Sequence, residues 1–415
     1  MKKTFFALMI LFISLFIVTS CGNNEAQGPD GQTLITLWTH TTGPDGALIQ
    51  QNIDRFNETN SDFFVEVVML EAGTMFNRLA TSALVGEDVP DIAMIASEQV
   101  YNFFNQGLLT PWDAHIAGTS LSAENYIASA WDLGTFEGRQ YGIPMSMTSW
   151  IMYYNRELVE RYIPGALDDG IVTYAEIFQA GENIRAAGSN VLAMGFTWPM
   201  QNVTNLYMQK GGQFVVDGHP QFENDIAAAT FQVFKDIHDQ GFMNTVGEDS
   251  IALFNSGQVI FLPEGTWMIS DMMQITDFEW GQTLTPQWDA NNLVQGSGIP
   301  HFTLFNSDDR SERKMEGIIA FVEWLQTNQV EWLLSGANPT ALAMLNNEEF
   351  LAMPQSFVVT EPRFRDSIEV IVGPGVGGIM GNIDGRFWDI ATGNADITTS
   401  LREIQQYLDD IMAHN

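Results

Sequence analysis

The chain of 415 residues is poor in positive charge and in cysteine. It has 17 Lys and Arg against 51 Asp and Glu, a formal net charge of −34, and a single Cys. Nucleic-acid binding needs clustered Lys and Arg, so this acidic surface would repel a phosphate backbone. One cysteine excludes an internal disulfide framework and a zinc site built on paired cysteines. The acidity also disfavours anionic ligands and an anionic membrane over most of the surface.

The composition is otherwise that of a folded protein. Hydrophobic residues make up 45% of the chain, so the acidic residues belong on the surface of a globular body rather than in a disordered one. At roughly 100–200 residues per domain, the length predicts two or three domains, or two large lobes.

Long apolar runs are absent from the sequence except at its start. Two lysines precede the stretch from Phe5 to Val18, and small residues stand just before Cys21. The stretch is shorter than the ~20 residues that cross a bilayer comfortably. The pattern resembles the signal peptide and lipobox of bacterial lipoproteins. We expect residues 1–20 to be cleaved and Cys21 to carry lipid; an uncleaved anchor helix and an ordinary signal peptide are the alternatives.

A spacer without large apolar side chains follows. Residues 22–32 contain no aliphatic side chain larger than alanine, so the segment 21–32 is predicted to be a lipidated cysteine with a flexible tether. A lipid, a tether and a soluble body describe an extracytoplasmic protein anchored to the bacterial cell membrane.

The body opens with alternating strand and helix patterns. β-branched and aliphatic residues at 33–38, 63–70 and 90–95 favour strands, and apolar residues at helical spacing favour helices over 47–56 and 75–85. Strand, helix, strand, helix, strand is typical of a parallel α/β sheet. Such sheets bind ligands beyond the carboxyl ends of their strands.

A second α/β unit follows the first. A helix is predicted over 174–187, strands over 192–196 and 259–262, and a closing helix over about 397–413. Because no long disordered linker separates the two units, the sequence predicts an α/β protein with two lobes that face each other.

Short segments along the mature chain carry a family resemblance through their order and spacing. They are Ile-Thr-Leu-Trp (35–38), Val-Pro-Asp-Ile (89–92), Tyr-Gly-Ile-Pro (141–144), Tyr-Tyr-Asn-Arg-Glu-Leu (153–158), Thr-Tyr-Ala-Glu-Ile (173–177), Lys-Gly-Gly (210–212), Phe-Asn-Ser-Gly-Gln-Val (254–259), Glu-Gly-Thr-Trp (264–267) and Phe-Val-Glu-Trp-Leu (321–325). Together they resemble family 1 extracellular solute-binding proteins, the maltose-binding-like sugar receptors of ABC importers.

The resemblance implies a two-lobe fold of the type II periplasmic-binding-protein kind, with a sheet flanked by helices in each lobe. It places the first lobe at 33–143 plus 299–350 and the second at 144–298 plus 351–415. A monomer would close on its ligand by a hinge motion and deliver it to the permease subunits of an ABC transporter. No catalysis, cofactor or metal is implied.

Aromatic residues past strand ends are the first candidates for ligand contact. Neutral sugars present apolar C–H faces and many hydroxyls, so their sites pair flat rings with polar acceptors. The sequence holds 11 Trp, and large aromatics often fill cores instead. We expect Trp38, Trp198 and Trp267 in the site. Trp267 fits the family position that stacks on sugar in maltose-binding relatives.

Polar candidates stand at the same places. They are His40, Ser97, Glu98, Thr148 and Glu264, although Ser97 is equally suited to cap the helix that follows it. Glu98 falls where maltose-binding relatives carry an acidic ligand residue. Thr148 falls where those relatives carry a glutamate, which puts a maltodextrin ligand in doubt.

Other functions fit the sequence less well. It has no Gly-x-Ser-x-Gly elbow and no His-Glu-x-x-His helix, and with 51 acidic residues a glycosidase-like carboxylate pair can arise by chance. The Gly-x-Gly-x-x-Gly match at 373–378 lacks a following βαβ unit and is predicted to be a glycine-rich bend. A polyamine or another small solute stays the alternative ligand, and a secreted glycan-cleaving enzyme is a more distant alternative.

Overall fold

The computed structural model describes residues 27–414, which form two large β-sheets flanked by helices and two sheets of two strands each. The predicted signal peptide, residues 1–20, and the predicted lipidation site, Cys21, lie outside the described residues. Within the described part, no helix combines the length and the apolar character needed to cross a bilayer.

The strands in chain order are β1 (Thr33–Thr39), β2 (Phe63–Met69), β3 (Ile92–Ala96), β4 (Leu109–Thr110), β5 (Thr135–Phe136), β6 (Arg139–Gln140), β7 (Gly142–Pro144), β8 (Ser146–Asn155), β9 (Leu192–Met194), β10 (Val215–Val216), β11 (His219–Pro220), β12 (Val259–Gly265), β13 (Trp280–Leu284), β14 (Gln295–Gly298), β15 (Pro300–Phe305), β16 (Asn338–Pro339) and β17 (Ile368–Glu369).

The α-helices are α1 (Gly43–Thr59), α2 (Ala72–Val85), α3 (Ser97–Asn105), α4 (Asp113–Ile116), α5 (Ala128–Asp132), α6 (Arg156–Tyr162), α7 (Tyr174–Ala186), α8 (Pro199–Gln209), α9 (Asp225–Asp239), α10 (Ser250–Asn255), α11 (Ile269–Met272), α12 (Glu312–Leu325), α13 (Val330–Leu333), α14 (Glu348–Leu351), α15 (Phe357–Thr360), α16 (Pro362–Arg365), α17 (Val376–Ala391) and α18 (Ile397–His414). Short 3-10 helices cover Ala123–Asn125, Thr266–Met268, Leu342–Asn346 and Pro354–Ser356.

The first sheet has the strand order β2-β1-β3-β15-β4, with β7 paired to β15. Strands β1, β2 and β3 are parallel, and Thr39 at the end of β1 lies level with Met69 and Met94. The predicted parallel α/β pattern is confirmed for these strands. Because their carboxyl ends meet at one edge, the residues that follow β1 and β3 lie side by side.

The second sheet is organised around β8. Its order is β17-β14-β8-β12-β9, and β13 and β16 also pair with β8. β8 runs antiparallel to β12, with Trp150 opposite Gly265, whereas β12 and β9 are parallel. The carboxyl ends of β9 and β12 and the first half of β8 therefore share one edge of this sheet.

Two neighbouring segments carry the chain from one sheet to the other. Only Met145 separates β7 of the first sheet from β8 of the second, and only Ile299 separates β14 of the second from β15 of the first. Met145 donates its backbone N–H to the carbonyl of Pro300, 2.9 Å away, so the two segments cross side by side. The ligand edges of the two sheets both lie beside this crossing, because Ala96 at the end of β3 pairs with Pro300 and Gly265 at the end of β12 pairs with Trp150.

Helix α12 shows how the layers form around the sheets. Ser311 caps it by accepting the backbone N–H of Lys314 at 3.2 Å, and Met315, Ile318 and Phe321 recur on its buried face. The helix packs on β1, so its apolar stripe covers one side of the first sheet.

The last part of the predicted tether is ordered, which corrects the expectation of a flexible segment throughout 21–32. Gln27 pairs antiparallel with Thr33, and Gly28 and Gly31 close the turn through a 3.1 Å backbone hydrogen bond. A Cβ on Gly28 would stand 2.7 Å from Cβ of Phe64, so the turn lies directly on the sheet. Small residues suit a tight turn against a sheet as well as they suit a linker.

Helices α8 and α17 could not be predicted from the sequence, because their residue patterns are unusual. Helix α8 buries a polar stripe that includes Asn205 and Gln209, so it lacks the apolar periodicity of an ordinary helix. Asn205 accepts the backbone N–H of Gly296 at 2.8 Å, and Gln209 donates to the carbonyl of Val294 at 3.2 Å. These amides join α8 to β14 and the residue before it.

Helix α17 is rich in glycine, which disfavours helices on propensity alone. The glycine-rich bend predicted over 373–378 covers only Gly373–Gly375, where Gly375 has φ +70°, because residues 376–378 form the first turn of α17. A Cβ on Gly378 would meet Tyr407 and Leu408 of α18 at 3.2 Å, so the missing side chain lets α18 approach.

Candidate functional site

Three tryptophans form a packed cluster at the edge of the second sheet. The ring centroids of Trp150 and Trp267 are 4.3 Å apart, those of Trp150 and Trp198 are 5.8 Å apart, and those of Trp198 and Trp267 are 6.1 Å apart. The Trp267 ring stands nearly perpendicular to both others, at 85° and 86°. Edge-to-face packing of this kind is the favoured arrangement of aromatic rings.

The backbone conforms closely around these rings. Gly265 lies directly beneath the Trp267 ring, where a Cβ would stand 2.1 Å from the ring atoms. Trp198 takes a left-handed conformation with φ 45°, which is rare and costly for an aromatic residue. Asn202 donates from its amide to the carbonyl of Thr197 at 2.6 Å, and Met200 donates its N–H to Asp384 at 2.8 Å. These bonds hold the start of α8 on either side of Trp198.

Glu264 is hydrogen-bonded to this tryptophan cluster. It is only 2% exposed, and its Oε1 accepts the indole N–H of Trp198 at 2.7 Å while its Oε2 accepts the backbone N–H of Gly265 at 2.8 Å. Burial raises the pKa of the Glu264 carboxyl, and these hydrogen bonds partly oppose the rise. We call Trp150, Trp198, Trp267 and Glu264 the aromatic wall. It contains three of the predicted site residues.

The ligand edge of the first sheet, at the carboxyl ends of β1 and β3, carries titratable side chains. His40 follows β1, Asp45 lies in the first turn of α1, and Glu98 lies in the first turn of α3. All three are half-buried. Burial lowers the pKa of His40 and raises the pKa values of Asp45 and Glu98. We call these residues the polar wall.

His40 has an unpartnered buried atom. Its Nδ1 has no hydrogen-bond partner among residues 27–414, and its ring meets the edge of Phe76 with 5.5 Å between centroids. An imidazole kept neutral by burial can donate from one nitrogen and accept at the other, which suits a hydroxyl-rich ligand.

Thr148 lies between the two walls, on the crossing itself. It pairs with Gly298 and shares a face of β8 with Trp150, because side chains two apart on a strand point the same way. Its hydroxyl is 3.4 Å from the carbonyl of Gly298, a long contact that leaves it able to bond elsewhere.

Ser97 was predicted to contact the ligand, but it does not reach the cleft, by which we mean the space between the aromatic wall and the polar wall. It is fully buried, and its hydroxyl donates to the carbonyl of Ile299 at 2.7 Å. The ring Nδ1 of His301 lies 2.9 Å from the same carbonyl. Because α3 begins at Ser97 with no loop after β3, the side chain turns inward. Ala96, not Ser97, is the N-cap of α3. Ser97 thus holds the residue at which the chain switches sheets.

Trp38 also lies in the core rather than at the cleft. It is 5% exposed and packs with the buried cluster on one side of the first sheet. The guanidinium of Arg78 lies over its ring, 4.3 Å from the centroid. A residue inside a strand points to one face of the sheet rather than off its end, which is why Trp38 misses the ligand edge.

Trp150 and Asp45 were not predicted as site residues from the sequence. Period-2 alternation from Thr148 would have placed Trp150 on the same face of its strand. Asp45 stood in a Gly-Pro-Asp-Gly segment that resembles a turn, whereas it starts α1 with Pro44 in the first turn.

The charged groups at the two walls limit the kinds of ligand that can bind there. Across residues 27–414, no Lys or Arg forms an ion pair with Glu264 or lies over the rings of the aromatic wall. No group of three or more His, Cys, Asp or Glu in that range is arranged to hold a metal ion. The cleft therefore offers ring faces, carboxylates and an imidazole.

Comparison with known proteins gives a family. The family model described as bacterial extracellular solute-binding protein matches residues 51–353. An arabinooligosaccharide-binding protein of Bacillus subtilis is 24% identical over 274 residues, which cover 61% of this chain and 62% of that protein. The alignment thus spans less than two thirds of that relative.

Two other comparisons cover more of the chain. An sn-glycerol-3-phosphate-binding periplasmic protein of Rhizobium meliloti is 22% identical over 349 residues, covering 75% of this chain and 76% of that protein. The solved structure of the sugar-binding protein MalE from Xanthomonas citri superposes with a TM-score of 0.78 at 17% identity, covering 92% of this chain and 98% of that one. The predicted two-lobe periplasmic-binding fold is confirmed.

Proposed function

The chain belongs to the bacterial extracellular solute-binding proteins, and from that premise we propose that it captures a sugar or oligosaccharide and delivers it to an ABC transporter permease. The observation that carries the proposal is that the aromatic wall and the polar wall lie at the ligand edges of the two sheets, which meet at the crossing. Ring faces can stack on the C–H faces of a sugar, and carboxylates and an imidazole can bond its hydroxyls. The relatives named above bind arabinooligosaccharide and glycerol phosphate, so the ligand class has to be argued from the site.

A phosphorylated ligand fits this site poorly. Phosphate recognition uses Arg, Lys or free N–H groups at a helix start. At the aromatic wall the helix start is that of α8, where Pro199 has no N–H and Met200 already donates to Asp384. Burial raises the pKa values of Asp45 and Glu98, which means that it disfavours their ionised forms. A phosphate anion beside these carboxyls would disfavour the ionised forms further through charge repulsion.

A polyamine fits the aromatic wall less well than a sugar does. An ammonium group needs space over the ring faces, whereas centroids 4.3–6.1 Å apart leave no room between these rings. Both oxygens of Glu264 also accept hydrogen bonds from Trp198 and Gly265. One open ring, that of Trp198, is 46% exposed and offers a platform rather than a cage.

We assign the lobes to 33–143 plus 299–350 and to 144–298 plus 351–415, closing by a hinge. The sheet switches at Met145 and Ile299 support two of these boundaries. Asn338 pairs with Met147, so a third strand contact crosses the proposed division. The protein acts without catalysis, as a monomer.

The proposed location is the outer face of the bacterial cell membrane, with lipid on Cys21. The signal and lipobox pattern supports the anchor, and the extracellular family supports the external location.

Ligand binding is tested on the unlipidated body from residue 22, which keeps the turn at 27–32. Its melting temperature and tryptophan emission are followed with neutral oligosaccharides, arabino-oligosaccharides first, and with glycerol 3-phosphate and polyamines. We expect a neutral oligosaccharide to shift both signals and to remain uncleaved. At a hundredfold excess over Kd, binding adds about 2.7 kcal/mol of stability. Response to glycerol 3-phosphate or polyamines alone contradicts the sugar proposal, and cleavage contradicts the non-enzymatic one.

Two tryptophans with nearly equal exposure, one inside the cleft and one outside, test where the ligand binds. Trp198 is 46% exposed and Trp288, outside the cleft under Lys210, is 47% exposed. Trp198→Ala should weaken sugar binding at least tenfold, whereas Trp288→Ala should leave it unchanged. Equal effects of the two substitutions would show that the ligand does not stack on Trp198.

A further inference from the structure

The turn at 27–32 fixes where the body begins relative to its anchor. Besides the Gln27–Thr33 pairing, Gln32 is buried and donates from its amide to the carbonyl of Asn60 at 3.1 Å. Thr33 donates its backbone N–H to the carbonyl of Asp62 at 2.9 Å. The turn is therefore attached to the amino-terminal edge of the first sheet, where β1 and β2 start.

This attachment shortens the free part of the tether. Between Cys21 and Gln27 the sequence has five residues, Gly-Asn-Asn-Glu-Ala, which we call the leash. Six Cα steps cover at most about 20 Å, whatever conformation the leash adopts. If residues 27–32 were free as well, the reach would roughly double.

We infer that the amino-terminal edge of the first sheet is held within about 20 Å of the lipid surface by the leash. The inference rests on the proposed lipid anchor at Cys21. The cleft lies at the opposite ends of the same strands. Since β1 has seven residues, its ligand edge is about 20 Å farther along the strand.

The charges on this edge show that the leash, and not adsorption, sets the distance. Asp30, Glu58 and Asp62 are exposed there, and Arg313 is 3.8 Å from Asp62. An anionic leaflet repels such an edge. The partner of this face is therefore a lipid surface reached through a covalent tether rather than through a basic patch.

The single cysteine provides a clean way to measure the distance. In the full-length lipidated chain the sulfur of Cys21 is blocked, so one introduced cysteine becomes the only reactive thiol. Glu58→Cys places a fluorescent donor near the leash, and Glu182→Cys places it on α7, on the second sheet's side. The protein is reconstituted in phosphatidylethanolamine and phosphatidylglycerol vesicles that contain a rhodamine-labelled lipid acceptor.

We expect strong energy transfer from position 58 and at least twofold weaker transfer from position 182. Inserting 20 Gly and Ser residues after Ala26 gives a tether with a mean span of about 25–30 Å and should remove the difference. Gly28→Val, whose side chain collides with Phe64, should release the turn and reduce transfer from position 58. Equal transfer from both positions in the native chain, or no effect of the insertion, overturns the inference.

Flotation with the vesicles separates this inference from its premise. The native chain should float and Cys21→Ser should not. A native chain that does not float overturns the anchor and the inference together, while sugar binding by the soluble body still stands. A native chain that floats with equal transfer from both positions overturns the inference alone.

Discussion

The two walls of the cleft differ in how complete they are before a ligand arrives. In the aromatic wall, Glu264 and Trp198 bond each other, and Trp267 packs against both other rings. In the polar wall, the Nδ1 of His40 lacks a partner among the described residues, and burial raises the pKa of Glu98. The rings and carboxyl of the aromatic wall are held by contacts with one another, whereas the polar wall includes an imidazole nitrogen that is left for the ligand. Affinity should depend most on the first and selectivity on the second.

Removing the central ring should break the platform. Trp267→Ala takes away the ring that both Trp150 and Trp198 contact, and we expect about a 100-fold loss of sugar affinity, about 2.7 kcal/mol. The chain should stay folded, because Trp267 is only half-buried. Calorimetry and a thermal melt measure the two quantities. Wild-type affinity in the folded variant would place the ligand elsewhere.

Moving the ring without deleting it should have a smaller effect. In Gly265→Ala the new Cβ would stand 2.1 Å from the Trp267 ring, so the ring must turn. We expect about a tenfold loss of affinity and a change in tryptophan near-ultraviolet circular dichroism.

Gly377→Ala is the control for that variant. A Cβ there meets no atom within 4 Å, and alanine favours the helix over glycine by up to about 1 kcal/mol. Unchanged affinity is expected; a loss as large as that of Gly265→Ala would mean that the Gly265 effect is not local.

Weakening the polar wall should lower affinity but raise stability. Glu98→Gln keeps the shape and removes a desolvated charge, and we expect a threefold to fivefold loss of affinity because a neutral acceptor bonds hydroxyls less strongly. The ligand-free variant should melt about 1–2 °C higher. Glu160→Gln, at an exposed site, should change neither. A lower melting temperature for Glu98→Gln would show that the carboxylate is structural.

The smallest expected effect is the change with pH of the stability difference between the native chain and Glu98→Gln. Burial raises the pKa of Glu98 in the folded chain above its unfolded value. The folded state then binds more protons, so stability falls as pH rises through the unfolded pKa and levels off above the folded pKa. The advantage of Glu98→Gln in melting temperature should grow from pH 4 to pH 7. A constant difference over that range would exclude titration of Glu98 as its cause.

Much of the fold was predictable because local residue patterns and burial agree. The β-branched and aliphatic runs gave β1, β2 and β3 within two residues at each end. Helix α8 was not predictable, since its buried face is polar and Asn205 on that face bonds to the backbone of β14, 91 residues away in sequence.

The site was predictable only in part, for a geometric reason. Trp198 and Trp267 follow strand ends, Glu264 is the second-last residue of β12, and the three converge because β9 and β12 are parallel neighbours. Trp150 comes from the antiparallel β8, so only the register that pairs it with Gly265 brings it there. Ser97 could not be assigned from sequence, because its partner, the carbonyl of Ile299, lies 202 residues away.

The buried amides between α8 and β14 have an optical consequence. Trp198 caps the helix whose Asn205 accepts the N–H of Gly296, three residues before the sheet switch at Ile299. These amides fix the indole to the proposed second lobe, so its surroundings change when closure brings the first lobe over its exposed ring. We therefore expect the emission wavelength of Trp198 to serve as a built-in gauge of the angle between the lobes, readable without any added dye.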